Sequence, residues 1–276
     1  RPQAGGLMGA GPSCRSPTFL EPGVKKSAVL VEKTNVSPDT RRFRFALPTK
    51  RTKLGLPVGN HMQVYAEVDG ETVLRSYTPV SSNADRGFFD MVIKVYGKND
   101  KFPAGGKMTQ HLDGLKLGDS IQVKGPLGKF EYLGKGRFTV EGEARSADSI
   151  GLIAGGTGIT PAYQVVKAIL GDANDSTKVS LIFANQTPDD VLLKAELDKL
   201  AKDFPDRFKL HYTVDRADGG WEGSTGFVDE AMVKAHMPAP GDGTFIAACG
   251  PPAMLDKAVF PALDSVGYSK GDYMSF

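Results

Sequence analysis

Residues 149–170 read SIGLIAGGTGITPAYQVVKAIL. The apolar run Ile150 to Ala154 predicts a buried strand, which breaks into Gly155-Gly156-Thr157-Gly158. The chain restarts at Pro161 as a helix, with Tyr163, Val166, Ile169 and Leu170 at helical spacing. Thr160 is placed to cap that helix, and Pro161 suits its first turn, where a missing N–H costs nothing. A strand, a glycine turn and a helix in succession offer backbone N–H groups and a positive dipole end to a phosphate. A β-carbon in such a turn would block close backbone approach. The spacing, Gly156-x-Gly158-x-x-Pro161, is a variant of the G-x-G-x-x-G fingerprint. A tight turn that binds nothing gives similar glycines, so the motif needs the rest of the chain.

Working outward, the rhythm after Ile150 is strand, helix, strand, helix. Val179 to Ala184 is a buried strand. Thr187-Pro188-Asp189-Asp190 opens a helix that buries Leu192, Leu193, Leu197 and Leu200 on one face. A strand over Phe208 to Val214, a helix over Val228 to Ala235 and a strand over Phe245 to Ala248 follow. Gly250-Pro251-Pro252 starts a last helix reaching Val266, and Asp272 to Phe276 is a short strand. Such alternation means a parallel sheet wrapped by helices, with ligands at the carboxyl ends of its strands.

Before Ile150 the pattern differs. Residues 1–25, rich in Gly, Pro and Ser, read as a disordered linker. Short strands are predicted at Ala28 to Val31, Arg42 to Phe45, Met62 to Val68, Thr72 to Thr78, Phe88 to Tyr96 and Ser120 to Lys124. Asp69-Gly70 is a hairpin turn signal, and a short helix fits Lys107 to Leu115. Many strands and little helix point to an antiparallel six-stranded barrel over 26–140. The polar stretch 141–149 is then a linker, and 150–276 a Rossmann-like α/β domain.

At 276 residues the chain suits two ordinary domains, and 40% hydrophobic with 24% charged residues is ordinary globular composition. A net charge of +2 gives no reason to invoke nucleic acid. Two cysteines, Cys14 and Cys249, make neither a disulfide framework nor a zinc site, which points to a reducing, cytoplasmic setting. The four histidines are scattered, which argues against a metal. No run approaches the length of a membrane helix. The chain begins with Arg1 and has no apolar leader, as expected of a fragment or processed piece.

Four further segments carry chemistry. Arg75-Ser76-Tyr77-Thr78-Pro79 ends a barrel strand with Arg75 and Tyr77 on one face. There a guanidinium can clamp a pyrophosphate and a phenol ring can stack on a planar ligand. Val92-Ile93-Lys94-Val95-Tyr96 presents Val92, Lys94 and Tyr96 together. Gly105-Gly106-Lys107-Met108-Thr109 is a glycine turn opening a helix, a second candidate anion cradle. Cys249-Gly250-Pro251-Pro252-Ala253-Met254 is another strand-to-helix turn. Any one of these is ordinary alone; all four in this order are not.

In that order they resemble the ferredoxin–NADP reductase superfamily, in its cytochrome-b5 reductase branch, across Lys26 to Phe276. Phe45-Ala46-Leu47-Pro48, Gly125-Pro126-Leu127-Gly128 and Glu131-Tyr132-Leu133-Gly134-Lys135-Gly136 are most similar to the reductase domain of plant and algal nitrate reductases. The resemblance implies FAD in the barrel, NADH on the second domain and a cytochrome-b5-type haem as acceptor. It implies that Arg75 binds the FAD phosphates, with Ser76 in the same cofactor-binding set, that Tyr77 lies against the isoalloxazine and that Thr78 hydrogen-bonds near its reactive edge. Val92, Ile93, Lys94, Val95 and Tyr96 then line the flavin and ribityl chain. Phe102 falls in the same flavin set, and Gly106, Lys107, Met108 and Thr109 meet the pyrophosphate. Thr157 and Thr160 touch the flavin side of the nucleotide groove, and Gly156 belongs to the same cofactor-binding set. Cys249, Gly250, Pro251 and Met254 shape the nicotinamide pocket, with Cys249 positioning the ring, and Phe276 sits near the flavin face. Asp215, in Val214-Asp215-Arg216, is implied as the group that repels a 2′-phosphate and so favours NADH.

This sequence departs from the family at Gly97, where an aromatic residue is common, and in a loop at 98–101 two residues shorter, which predicts looser FAD binding. Three readings stay open: the FAD/NADH module of a nitrate reductase, a free-standing cytochrome-b5 reductase, and a nucleotide-binding module without catalysis.

Overall fold

The structure is a computed structural model that describes residues 17–276 apart from 99, 101 and 218. Six antiparallel strands form the first sheet: β1 (Lys25–Ser37), β2 (Thr40–Ala46), β3 (His61–Val68), β4 (Glu71–Tyr77), β5 (Phe88–Lys94) and β6 (Ser120–Leu127), in the order β4-β3-β6-β1-β2-β5. The period-2 pattern of Arg42-Phe43-Arg44-Phe45 sends both phenylalanines inward, where Phe45 stacks on Phe89 at 5.3 Å. Helix α1 (Lys107–Gly114) closes the barrel by burying Met108 and Leu112 in that core.

Between the domains, β7 (Phe130–Gly134), β8 (Arg137–Val140) and β9 (Glu143–Ser146) make a small antiparallel sheet. The expected linker at 141–149 is therefore partly a strand, because Glu143 to Ser146 pairs with β8 despite its polar composition. The expected tail also stops short of residue 25. Phe19 and Leu20 are buried, and their N–H groups bond to the carbonyls of Lys53 and Leu54. Two large apolar side chains outweigh the surrounding prolines and glycine. Residues 1–16, including Cys14, lie outside the described residues.

The second sheet contains β10 (Ser149–Gly155), β11 (Lys178–Asn185), β12 (Phe208–Val214), β13 (Ser224–Thr225), β14 (Thr244–Cys249) and β15 (Tyr273–Ser275). All are parallel, in the order β13-β12-β11-β10-β14-β15. Helices α2 (Ile159–Gly171), α3 (Lys194–Asp203), α4 (Glu230–His236), α5 (Pro252–Met254) and α6 (Phe260–Val266) cover it. Adjacent strand residues face opposite ways, so Leu152 and Leu181 join one core and Ile153 and Ile182 the other. The order reverses between β10 and β14, which places a crevice at their carboxyl ends.

Three local expectations are corrected. Thr160 does not cap α2: Gly158 occupies that position, and the Thr160 hydroxyl donates to the Thr157 carbonyl within the first turn. The helix expected from Thr187 is a one-turn 3₁₀ segment, Pro188–Asp190, closed by a Thr187–Asp190 capping box. Leu193, at φ 56°, interrupts the helix before α3 begins, because this kink turns Val191, Leu192 and Leu193 into the core. The last helix widens into a π-turn over Leu255–Val259 just before Pro261, which has no N–H for the preceding turn.

Asp175 ties β7 to the second domain. Its carboxylate accepts from Tyr132 Oη (2.6 Å), Lys135 N (2.8 Å), and the Thr177 hydroxyl and N–H. Burial opposes its charge, but hydrogen bonds from Thr177, Tyr132 and Lys135 hold its carboxyl below the usual range. Burial pushes the Tyr132 phenol up to about 12. A lowered carboxyl pKa stabilises the fold fully above the unfolded value of about 3.9 and loses that contribution as pH falls through the folded pKa. Asp175→Asn is expected to cost about 2 kcal/mol at neutral pH and to flatten the acid limb of Tm against pH. Parallel curves for parent and variant would contradict this.

Candidate active site

The crevice holds a cavity of about 1030 Å³, with walls from both domains. The barrel contributes Ser76, Tyr77, Thr78, Lys94 and Tyr96; the parallel sheet contributes Gly156, Thr157, Thr160, Asp215, Cys249, Gly250, Pro251, Met254 and Phe276. Residues more than a hundred positions apart meet because the end of β4 and the turns after β10 and β14 face each other. Burial pushes the Tyr77 phenol above its ordinary range, so it stays a neutral ring. Thr78 is buried, its hydroxyl 3.4 Å from the Asn60 carbonyl.

The remaining predicted residues lie outside the cavity wall. Arg75 Nη1 donates to the neighbouring Leu74 carbonyl at 2.7 Å. Val92 and Ile93 are buried in the two flanking cores, and Met108 in the barrel core. The Val95 N–H bonds to the Asp39 carbonyl at 2.6 Å, and Phe102 is exposed. Lys107 pairs with Glu71 at 2.8 Å on the surface. Gly106 donates to the Tyr96 carbonyl, while Thr109 Oγ1 accepts from Tyr96 N and donates to the Gly106 carbonyl. The 105–109 turn is thus fastened to the end of β5. Of the short loop after Gly97, residues 99 and 101 lie outside the described residues.

Two strand-to-helix turns pack back to back. A β-carbon on Gly158 would lie 2.2 Å from the Cys249 carbonyl oxygen, and one on Gly155 would lie 2.3 Å from Met254 Sδ. The glycines therefore serve close approach between turns as well as toward a ligand. The Asp215 N–H bonds to the Asn185 carbonyl and the Arg216 N–H to that of Gln186, fixing Asp215 beside the end of β11. Burial pushes the Cys249 thiol up to about 11, so it stays protonated at neutral pH.

Gly59, His61, Gln186, Phe227 and Lys257 also line the cavity without any motif to mark them, and Asp190 joins them. Asp190 reads in sequence as a helix-start acid, and its place in the cavity follows from the tertiary arrangement. Asn185, also in the wall, is buried, and neither side-chain amide atom has a hydrogen-bond partner among the described residues.

These features suit two dinucleotides. The cavity spans both domains, its glycine turns leave room at the backbone, and phenol, hydroxyl and ammonium groups lie on the barrel side.

The family profile for an oxidoreductase FAD-binding domain matches residues 27–132, and that for an oxidoreductase NAD-binding domain matches 152–259. The chain is 48% identical over 267 residues to NADH-cytochrome b5 reductase 3 of Mus musculus, covering 94% of this chain and 89% of that protein. It is 50% identical over 251 residues to the NADH nitrate reductase of Spinacia oleracea, covering 90% of this chain but only 27% of that one. The crystal structure of the cytochrome b5 reductase domain of Ulva prolifera nitrate reductase superposes with a TM-score of 0.91 at 45% identity. That match covers 94% of this chain and 100% of that one.

Proposed function

The chain belongs to the NADH-cytochrome b5 reductase family, and from that premise we propose that it is the reductase module of an assimilatory nitrate reductase, with a cytochrome-b5-type haem as acceptor. It is an FAD-dependent oxidoreductase that takes electrons from NADH. FAD, when bound, would supply the chemistry that converts a hydride from NADH into single electrons for an acceptor. The protein's part is placement.

In this reading Arg75 and Ser76 hold the flavin phosphates, together with Gly106, Lys107, Met108 and Thr109 at the start of α1. Tyr77 and Thr78 hold the flavin ring, and Val92, Ile93, Lys94, Val95 and Tyr96 support it, with Phe102 beside them. Thr157 and Thr160 touch the flavin side of the nucleotide groove, with Gly156 in the same cofactor-binding turn, and Asp215 disfavours a 2′-phosphate. Cys249, Gly250, Pro251, Met254 and Phe276 shape the pocket for the nicotinamide, with the neutral thiol as a contact and no nucleophile needed. A reducing, cytoplasmic setting accords with the two cysteines.

The match over the full length of the Ulva prolifera reductase domain carries this reading. The coverage of mouse NADH-cytochrome b5 reductase 3 supports a second one, a free-standing reductase whose acceptor is a separate protein. A full-length transcript that does or does not encode an upstream haem domain separates them. Anaerobic mixing with NADH, and separately NADPH, tests the chemistry. NADH alone is expected to bleach the flavin's visible absorbance rapidly. Equal bleaching by both would remove Asp215 as selector, and a colourless protein inert even after added FAD would leave only a non-catalytic module.

A further inference from the structure

Lys94 lines the cavity from the last residue of β5, yet its ammonium is clasped by two carboxylates. Asp39, in the turn between β1 and β2, lies 3.0 Å away through Oδ2. Asp190, on the second domain and also in the cavity wall, bonds to it through Oδ1. Each carboxylate is itself held in place. Asp39 Oδ1 accepts from Ser37 and Thr40 hydroxyls, while Asp190 Oδ2 accepts from the Thr187 N–H (3.0 Å) and hydroxyl (2.7 Å). An ammonium has three N–H donors in fixed tetrahedral directions. With two directed at anchored carboxylates, the direction of the third is set.

We propose that Asp190 is a positioning residue: with Asp39 it orients the Lys94 ammonium across the domain boundary, leaving one N–H for an acceptor oxygen of a dinucleotide bound in the cavity. The arrangement has the logic of an outer partner that fixes a ligand-bearing group. The Lys94 and Asp190 side chains are less than a quarter exposed and that of Asp39 just under half, so the clasp is partly shielded from solvent. Burial opposes charge on each member, but hydrogen bonding and charge pairing prevail: both carboxyls are held below their usual range and Lys94 above its own. A second cross-domain pair, Arg42–Glu196 at 3.2 Å, runs beside it in more open solvent. That pair ties the domains without touching the cavity.

The proposal rests on the reductase reading and is tested with Asp190→Asn. Its amide oxygen can still accept from Thr187, so the capping box is kept. Its NH₂ then meets the ammonium donor to donor, and the clasp is lost. In the protein with FAD bound, affinity for NAD⁺ and for ADP-ribose, by calorimetry, is expected to fall roughly tenfold, as for a lost charge-assisted hydrogen bond. Flavin content per chain is measured alongside. A fall in flavin retention instead would place the acceptor oxygen on FAD and still support the orienting role. KM for NADH should rise with little change in kcat, over and above the small fall in Tm that loss of the cross-domain charge pair brings. In a Lys94→Met background the Asp190→Asn change should add nothing further. Parent-like nucleotide affinity and parent-like flavin retention would overturn the proposal alone. A parent protein that binds neither FAD nor NAD⁺ would overturn the reductase reading with it.

Discussion

Phe130→Ala is expected to lower stability by about 3–5 kcal/mol, which corresponds to a fall in Tm on the order of 10 °C. Phe130 is 1% exposed on β7, outside both large sheets, yet three rings close on it. Phe138 stacks at 5.4 Å, Phe245 at 6.2 Å and Phe276 meets it edge-on at 5.4 Å. Phe245 belongs to β14 of the parallel sheet, and Phe276 follows β15 and lines the cavity. One side chain thus joins the small sheet, the second domain and the site. The barrel leans on it too: the Phe130 carbonyl accepts from Asn60 Nδ2 at 2.9 Å, and its ring fills the space where a Gly59 β-carbon would sit. Truncation removes all these contacts, and the surrounding backbone, held by paired strands, cannot collapse into the hole.

The loss should extend to the site. Phe276 reaches the cavity from a last residue whose N–H bonds to the Ala248 carbonyl, with the Phe130 ring as its side support. Phe130→Ala is therefore expected to shed flavin more readily as well as to melt earlier. Leu133→Ala on the same strand, where the side chain is 50% exposed, should change Tm very little. Calorimetry on the three proteins decides it, and a Phe130→Ala variant within about 1 kcal/mol of the parent would show that the cluster is not a keystone.

How much of this was legible in the sequence follows from range of interaction. The β10–α2 unit could be read locally, since an apolar run, a glycine turn and a 3.6-residue periodicity are each set by near neighbours. Alternation likewise pointed to the barrel strands, and the family's motifs supplied about half of the cavity wall. What the sequence could not carry depended on partners far along the chain. Glu143 to Ser146 is polar and reads as a loop, but β8 supplies the hydrogen bonds that make it a strand. Leu193 belongs to an apolar helical pattern, and the core takes it instead by a left-handed kink that no periodicity announces. Asp190 looked like a helix-start acid because one of its oxygens has that duty; only the folded chain reveals that Lys94 takes the other.

The same distinction governs the second large effect, expected for Gly158→Ala. Local reasoning ranks Gly156 as the more vulnerable glycine, because its φ of 52° is a left-handed conformation that side chains disfavour. Gly158 has φ −64° and ψ −4°, which any residue adopts. Sterics reverse the order. A β-carbon on Gly156 meets nothing within 4 Å among the described residues, so Gly156→Ala should cost only about 1–2 kcal/mol of backbone strain. On Gly158 it would lie 2.2 Å from the Cys249 carbonyl oxygen, 2.6 Å from its carbon and 3.0 Å from Gly250 N. All three are backbone atoms in a turn anchored by β14, and none can swing aside. Relief requires the turns after β10 and β14 to separate, at about 3 kcal/mol. Those turns carry Gly156, Thr157 and Cys249 to Pro251, all of which line the cavity, so their separation changes the cavity itself. Gly158→Ala is therefore expected to lower Tm more than Gly156→Ala and to weaken NAD⁺ binding beyond what its loss of stability explains. The reverse ranking in melting and calorimetric titration would mean that backbone conformation, and not the spacing of the two turns, is the constraint that glycine satisfies here.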